Sequence, residues 1–283
     1  MLRGRRYKKR HCVMRRLVPC ALAISGLDPS GGAGLFADLR AFRAAAVWGC
    51  GAVAVLTVQS TAGLRTSEPV PTRQLLAQVG ELWAHENVKA IKIGALGSLA
   101  NVRAISRWLA ARRGKVPVVI DPVLHASRGK RDAPLLENAG VAALIEVIEL
   151  GAVVTPNALE AKALLGRRVA SLADAEGAAR AFLDLGARAA LVKGGHWSAG
   201  ARSETTDVLA IGRRIIHLRS PRVSVVPHGT GCTLASLIAG KLAAAPSAKD
   251  DDVIIASIRW AKRQLEARIA HPLRVGKGQL VMP

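Results

Sequence analysis

The octet His228-Gly229-Thr230-Gly231-Cys232-Thr233-Leu234-Ala235 holds the densest chemistry in the chain. Two glycines flank a threonine, and a cysteine then opens an apolar run, Leu234, Leu237, Ile238 and Leu242, spaced like one face of a helix. Glycine permits a tight turn with exposed N–H groups. A helix N-terminus adds partial positive charge, so Gly229, Thr230 and Gly231 are expected to cradle an anion, most simply a phosphate. Cys232 falls in the first helical turn, where the same field favours thiolate over thiol. A thiolate beside a phosphate cradle can act as general base on a hydroxyl that attacks a phosphoryl group. On the octet alone, a glycine-rich loop before a helix with a buried cysteine is an equal alternative.

Further polar groups stand at the ends of apolar runs. In Gly26-Leu27-Asp28-Pro29-Ser30-Gly31-Gly32-Ala33-Gly34 the backbone can approach a substrate closely at Gly26, with Asp28 as acceptor; alternatively Asp28 makes an Asx-type turn into the next helix. Gln59 ends another run and offers an amide to the edge of a heterocycle, or caps the strand. Asn157 and Glu160 lie three apart in Thr155-Pro156-Asn157-Ala158-Leu159-Glu160. An amide and a carboxylate on one face of a first helical turn can hold Mg²⁺ through waters; the same spacing is that of a capping box. Asp121, before Pro122, is a second carboxylate for the metal side or a plain turn residue. Lys193, in Lys193-Gly194-Gly195-His196, suits nucleotide phosphates, while His196 reads as loop packing. Arg128, Lys130 and Arg131 form either a lid over phosphates or a solvated loop. Gly-x-Gly-x-x-Gly and the Walker pattern are absent, which argues against a Rossmann dehydrogenase and a P-loop NTPase.

These groups need a frame. Apolar runs predict strands at 17–25, 52–58, 90–93, 118–120, 153–154 and 189–193. Amphipathic spacing predicts helices around 35–42, 75–83, 102–109, 135–148, 173–185, 233–243 and 253–269, with another starting at Asn157. Residues 207–218, turning at Gly212-Arg213, read as a hairpin. Strands alternating with helices give an α/β fold, one doubly wound and mostly parallel sheet covered on both faces. In such sheets the ligand lies at the carboxyl ends of the strands, and that is where the polar groups fall. Their regularity is the strongest sign of an enzyme.

Half of the 283 residues are hydrophobic and only 3% aromatic, so Ala, Val, Leu and Ile must fill a single core over 17–283. No apolar run approaches the roughly 20 residues that span a bilayer. The net charge is +21, and residues 1–16 hold eight Lys or Arg and no acid. That tail lacks the apolar core of a secretory signal; it is expected to be a disordered extension or a misplaced start, with Met14 as a second possible initiator. The later basic residues are scattered without interleaved aromatics, so a nucleic-acid partner is not expected. Cys12, Cys20, Cys50 and Cys232 show no Cys-x-x-Cys or metal-ligand spacing and are expected to be reduced thiols of a cytoplasmic protein.

Together the motifs resemble the ribokinase-like superfamily, most closely the hydroxymethylpyrimidine/phosphomethylpyrimidine kinases of thiamin biosynthesis. The resemblance runs over 22–277 and rests on Ala23-Ile24-Ser25-Gly26-Leu27-Asp28-Pro29-Ser30-Gly31-Gly32-Ala33-Gly34, Ala37-Asp38-Leu39, Gln59-Ser60-Thr61, Lys92-Ile93-Gly94, Asp121-Pro122-Val123, Thr155-Pro156-Asn157 with Glu160, Lys193-Gly194-Gly195-His196 and His228-Gly229-Thr230-Gly231-Cys232-Thr233. It implies ATP with Mg²⁺ as donor, and phosphorylation of the pyrimidine's hydroxymethyl group and then of the monophosphate. It also implies Cys232 at the position where most of the superfamily has Asp. Gln59 would hydrogen-bond the aminopyrimidine beside Gly26 and Asp28. Asn157, Glu160 and Asp121 would lie on the Mg²⁺-phosphate side, with Lys193 near the nucleotide. Dimers are frequent in the superfamily, so a homodimer is expected. The chain departs from the family pattern at Val223-Ser224-Val225-Val226-Pro227, where polar residues usually lead into the octet, at Leu124 in place of Met, and in lacking the usual histidine after Gly276-Lys277-Gly278. Pyridoxal kinases, some of which share the cysteine form of the motif, are the alternative within the fold. A basic nucleic-acid-binding homologue without catalysis is the alternative outside it.

Overall fold

The computed structural model describes residues 17–125, 135–196 and 204–283. Arg128, Lys130, Arg131, Cys12 and the rest of the tail 1–16 lie outside the described residues. In chain order the elements are β1 (Cys20–Leu27), α1 (Gly34–Ala44), β2 (Trp48–Ser60), β3 (Gly63–Pro69), α2 (Thr72–His85), β4 (Val88–Ile93), α3 (Leu99–Ala110), β5 (Val118–Ile120), α4 (Asn138–Ile148), β6 (Val153–Val154), α5 (Ala158–Leu165), α6 (Leu172–Asp184), β7 (Ala189–Val192), β8 (Glu204–Ile211), β9 (Arg214–Pro221), α7 (Thr230–Ala243) and α8 (Asp251–Ile269).

The strands form one sheet in the order β3-β2-β1-β4-β5-β6-β7-β8-β9. From β2 to β7 every pairing is parallel; β3, β8 and β9 add antiparallel edges. Parallel strands buried on both faces must be apolar throughout, which is why β1 reads Cys-Ala-Leu-Ala-Ile without alternation. On one face Leu22, Ile24 and Ile91 pack with Leu75 of α2, Ile105 of α3, Leu144 of α4 and Phe182 of α6. On the other Ala21, Ala23 and Leu191 pack with Phe42 of α1, Leu237 and Ile238 of α7, and Ile258 of α8. Ser98, Ser171 and Asp250 accept backbone N–H groups at the starts of α3, α6 and α8, so each of these helices begins where a polar side chain can satisfy its free donors.

Three expectations shift. β1 begins at Cys20 rather than at 17, because the ladder with β2 starts there and leaves Leu17 73% exposed. β2 is longer than 52–58 because it pairs with β3, an edge strand whose polar sequence has no burial period. α4 starts at Asn138, with Leu135 and Leu136 buried ahead of it.

Candidate active site

The octet's glycines meet the expected carboxylates where α7 points back at the carboxyl ends of the strands. Gly229 is the N-cap at φ 83°, and no side chain caps the helix, so its leading amides have no side-chain acceptor. A Cβ at Gly229 would lie 2.0 Å from the Gly32 carbonyl oxygen. Only glycine suits that left-handed turn, and through it the octet packs directly on the loop after β1. A Cβ at Gly231 would lie 3.3 Å from both Asp121 Oδ2 and Lys193 Nζ, so the first turn of α7 stands directly beside those two groups.

Asp121 follows β5, Lys193 follows β7, and Glu160 stands in the first turn of α5. Lys193 Nζ is 3.0 Å from Asp121 Oδ1 and 3.6 Å from Glu160 Oε2. The capping box forms: Asn157 Oδ1 accepts from the Leu159 and Glu160 amides at 2.9 Å each, and Glu160 Oε2 accepts from the Asn157 amide at 2.7 Å. Asn157 therefore commits its side-chain oxygen to the helix and keeps only its NH₂ for a ligand. Burial pushes the Glu160 carboxyl up to about 7, with Lys193 opposing the rise and Asp121 adding to it. Burial alone would lower the Lys193 ammonium, but Asp121 and Glu160 more than reverse it. Asp207, placed by sequence only in a hairpin, steadies this corner: its Oδ1 accepts from Gly194 N at 2.7 Å and its Oδ2 from Lys262 Nζ at 2.5 Å.

Cys232 corrects one expectation. The helix field was expected to favour its thiolate, yet burial pushes the thiol up to about 12; Lys92 pulls it down, while Asp121 and Asp38 push it further up. The side chain keeps some exposure to the cleft, but loss of solvent and two nearby carboxylates outweigh one helix terminus.

On the substrate side, Asp28 is consumed by its own loop. Oδ1 accepts from Ser30 N and Ser30 Oγ at 2.9 and 2.7 Å, and Oδ2 from Ala33 N at 3.0 Å, the Asx-type turn foreseen as the alternative. Oδ2 also lies 2.9 Å from His228 Nε2, and Gln59 Nε2 lies 3.1 Å from the same ring nitrogen. Burial would raise the Asp28 carboxyl, but hydrogen bonds from His228 and Ser30 hold it below its ordinary value. His228 opens the octet but was given no part of its own by the sequence; the structure places it between Asp28 and Gln59. Its Nδ1 is buried without a partner, and its amide donates to Leu280 O at 2.8 Å. The C-terminal segment thus straps the site, with Gln279 N donating to Thr61 O at 2.7 Å beside the end of β2. Removing residues 278–283 deletes both bonds. The KM for the acceptor substrate should rise about tenfold, the worth of one to two such bonds, with KM for the nucleotide unchanged; equal KM values for the acceptor would refute the strap's role.

The donor set suits a divalent cation. Asp121 Oδ2 and Glu160 Oε1 carry no hydrogen bond among the described residues, and Mg²⁺ is commonly held by one or two carboxylates with phosphate and water completing its shell. No cluster of three or more His, Cys, Asp or Glu side chains suited to a metal exists among the described residues.

A family model described as phosphomethylpyrimidine kinase matches residues 28–282. The chain is 37% identical over 263 residues to a hydroxymethylpyrimidine/phosphomethylpyrimidine kinase of Rhizobium meliloti, covering 92% of this chain and 94% of that one. Among solved structures, phosphomethylpyrimidine kinase of Clostridium difficile superposes with a TM-score of 0.72 at 27% identity, over 87% of this chain and 99% of that one. An ADP complex of Bacillus subtilis pyridoxal kinase superposes with a TM-score of 0.81 at 27% identity, over 94% and 97%. The fold is therefore ribokinase-like, and the cleft belongs to a nucleotide-using phosphotransferase. Fold similarity alone does not separate the two activities, because pyridoxal kinase superposes as closely; the family match and the identity to the Rhizobium enzyme do, and by them the chain belongs to the phosphomethylpyrimidine kinase family.

Proposed function

We propose that the protein transfers the γ-phosphoryl group of ATP to the hydroxymethyl oxygen of 4-amino-5-hydroxymethyl-2-methylpyrimidine, and then phosphorylates the monophosphate to the diphosphate, in thiamin biosynthesis. The observation that supports this most is the convergence of the uncapped α7 turn, the Asp121–Lys193–Glu160 cluster and the Gln59–His228–Asp28 chain at one end of the sheet. Gln59 is assigned the aminopyrimidine edge and Gly26 the close backbone approach, while Asp28 acts by holding His228 and the loop. The amides from Gly229 to Cys232 are assigned the charge on the transferring group, with Lys193 and Asn157 on the nucleotide. Asp121 and Glu160 would hold Mg²⁺, which supplies neutralisation of phosphate charge when bound. Cys232 is assigned the hydroxyl proton. Burial holds that thiol protonated, and Lys92 is the charge that pulls it toward the thiolate a base would need.

Consumption of Mg·ATP on the pyrimidine monophosphate, with pyridoxal in parallel, tests the reading. We expect turnover of the pyrimidine with a kcat/KM at least about tenfold above that for pyridoxal, the discrimination a single well-used amide contact provides. Turnover of pyridoxal alone would overturn it.

The unit over 17–283 is proposed to act as one domain, in the cytoplasm and as a homodimer; among the described residues no helix is long and apolar enough to cross a membrane. Deletion of 1–16 should leave kcat and both KM values unchanged, because none of the assigned site residues lies in that stretch. A loss of turnover on deletion would assign the tail a part in the site.

A further inference from the structure

Beneath the proposed site lies a charged pair to which nothing above gives a part in positioning the site. Lys92 of β4 and Asp38 of α1 are both 0% exposed, with Nζ 2.9 Å from Oδ1 and 3.0 Å from Oδ2. Ser25 of β1 donates to Asp38 Oδ2 at 2.6 Å and accepts from Lys92 Nζ at 3.1 Å. Ser236 of α7 donates to Asp38 Oδ1 at 2.6 Å. Two neighbouring strands and two helices on one face of the sheet are joined by this one group.

Stability does not account for it. Desolvating two charges costs several kcal/mol per ion, and apolar residues of similar volume often serve a fold as well or better. Location does account for it. Ser25 directly precedes Gly26, and Ser236 stands one turn after Cys232 on the same face of α7. The backbone after β4 closes over the pair: a Cβ at Gly94 would lie 2.7 Å from Lys92 Nζ and 2.9 Å from Ser25 Oγ. Burial alone would discharge Lys92, but Asp38 foremost, with Asp121, keeps it charged.

We propose that the Lys92–Asp38 pair, acting through Ser25 and Ser236, is a positioning unit for phosphoryl transfer that sets the Cys232 face of α7 against the β1 turn at Gly26. Phosphate cradle and hydroxyl-binding side are thereby held at one separation. The unit touches neither substrate nor nucleotide, and its role rests on the assignment of Cys232 and Gly26 to the reacting site.

The test is the double variant Lys92→Met/Asp38→Asn, which removes both charges, keeps an acceptor for one serine, presents an NH₂ donor to the other hydroxyl and leaves no unpaired buried ion. It should fold with a thermal midpoint near that of the parent. Its kcat should fall about 10²-fold, the loss expected when reacting groups shift by roughly 1 Å, while KM for ATP and for the pyrimidine stay within about threefold, since ground-state binding is untouched. A folded double variant with parental kcat, or with its loss confined to KM, would overturn the proposal. Should the double variant fail to fold, Ser236→Ala decides: a kcat loss of about tenfold at constant KM is expected from the lost hydrogen bond to a charged group, and parental kcat overturns the unit. Cys232→Ala measured alongside separates the two readings. An inactive Cys232→Ala with a fully active pair variant refutes the positioning unit alone; an active Cys232→Ala refutes the site on which it rests.

Discussion

Cys232→Ala is expected to lower kcat by about 10²–10⁴-fold, the range of a lost general base, with KM for ATP nearly unchanged and thermal stability little affected. Cys232 sits in the first turn of α7, partly buried, and a single sulfur is small, so its removal opens no large cavity. What changes is the acceptor for the hydroxyl proton. Cys232→Asp sharpens the test, because a carboxylate raised by the same burial and the same neighbours would still ionise far more readily than a thiol pushed up to about 12. Cys232→Asp should therefore recover at least about tenfold of the activity lost in Cys232→Ala, consistent with a matched base being better than an absent one. If alanine retains parental kcat, phosphoryl transfer here needs only positioning and electrostatics, and the base assignment fails. If alanine is inactive and aspartate no better, the sulfur acts by shape and not by accepting a proton.

The thiol also shows where one-dimensional reasoning stops. A helix N-terminus is visible in a sequence; the approach of Asp38 and Asp121 from α1 and the end of β5 is not, and those carboxylates with burial reverse the sign of the local effect. The same division runs through the fold. β1 and β5 were legible because strands covered on both faces are near-continuously apolar. β3 was not, since Gly63–Pro69 is a polar edge strand in which only Leu64 is buried. Ile91-Lys92-Ile93 carried a signal that periodicity cannot interpret: a lysine inside a buried strand needs a partner, and nothing local says that it is Asp38 on α1. His228 likewise meets Asp28 across 200 positions of chain and Leu280 in the C-terminal strap. The chemistry-bearing residue types could be named in advance. The local allegiances, Asn157 to its helix and Asp28 to its loop, were open as alternatives in the sequence; the choice between them and a ligand needed the folded chain.

Gly229→Ala is the second large effect. At φ 83° an L-residue is strained by about 1–3 kcal/mol, and the new Cβ would stand 2.0 Å from the Gly32 carbonyl oxygen and 3.0 Å from Ala33 Cα. Those are backbone atoms that cannot rotate away, so either α7 retreats or the loop after β1 does. Both carry the site: one presents the anion cradle, the other is tied through Asp28 to His228, against which the Gln59 amide rests. We therefore expect kcat to fall by about 10²–10³-fold, as when an oxyanion-type donor is misplaced, together with a lowered thermal midpoint. Gly231→Ala is the informative contrast. Its φ is not left-handed, and its Cβ would meet Asp121 Oδ2 and Lys193 Nζ at 3.3 Å, side-chain atoms that can yield. That variant should keep its thermal midpoint and instead raise KM for ATP, because the methyl group occupies space over the Asp121–Lys193 pair where the phosphates are assigned. Parental kinetics in both variants would move the anion site away from α7. Loss of stability in Gly229→Ala with unchanged kcat would reduce the turn to a packing device. The expected split, kcat and stability at 229 against nucleotide KM at 231, follows only if the octet is both the joint between the two loops and the wall of the phosphate site.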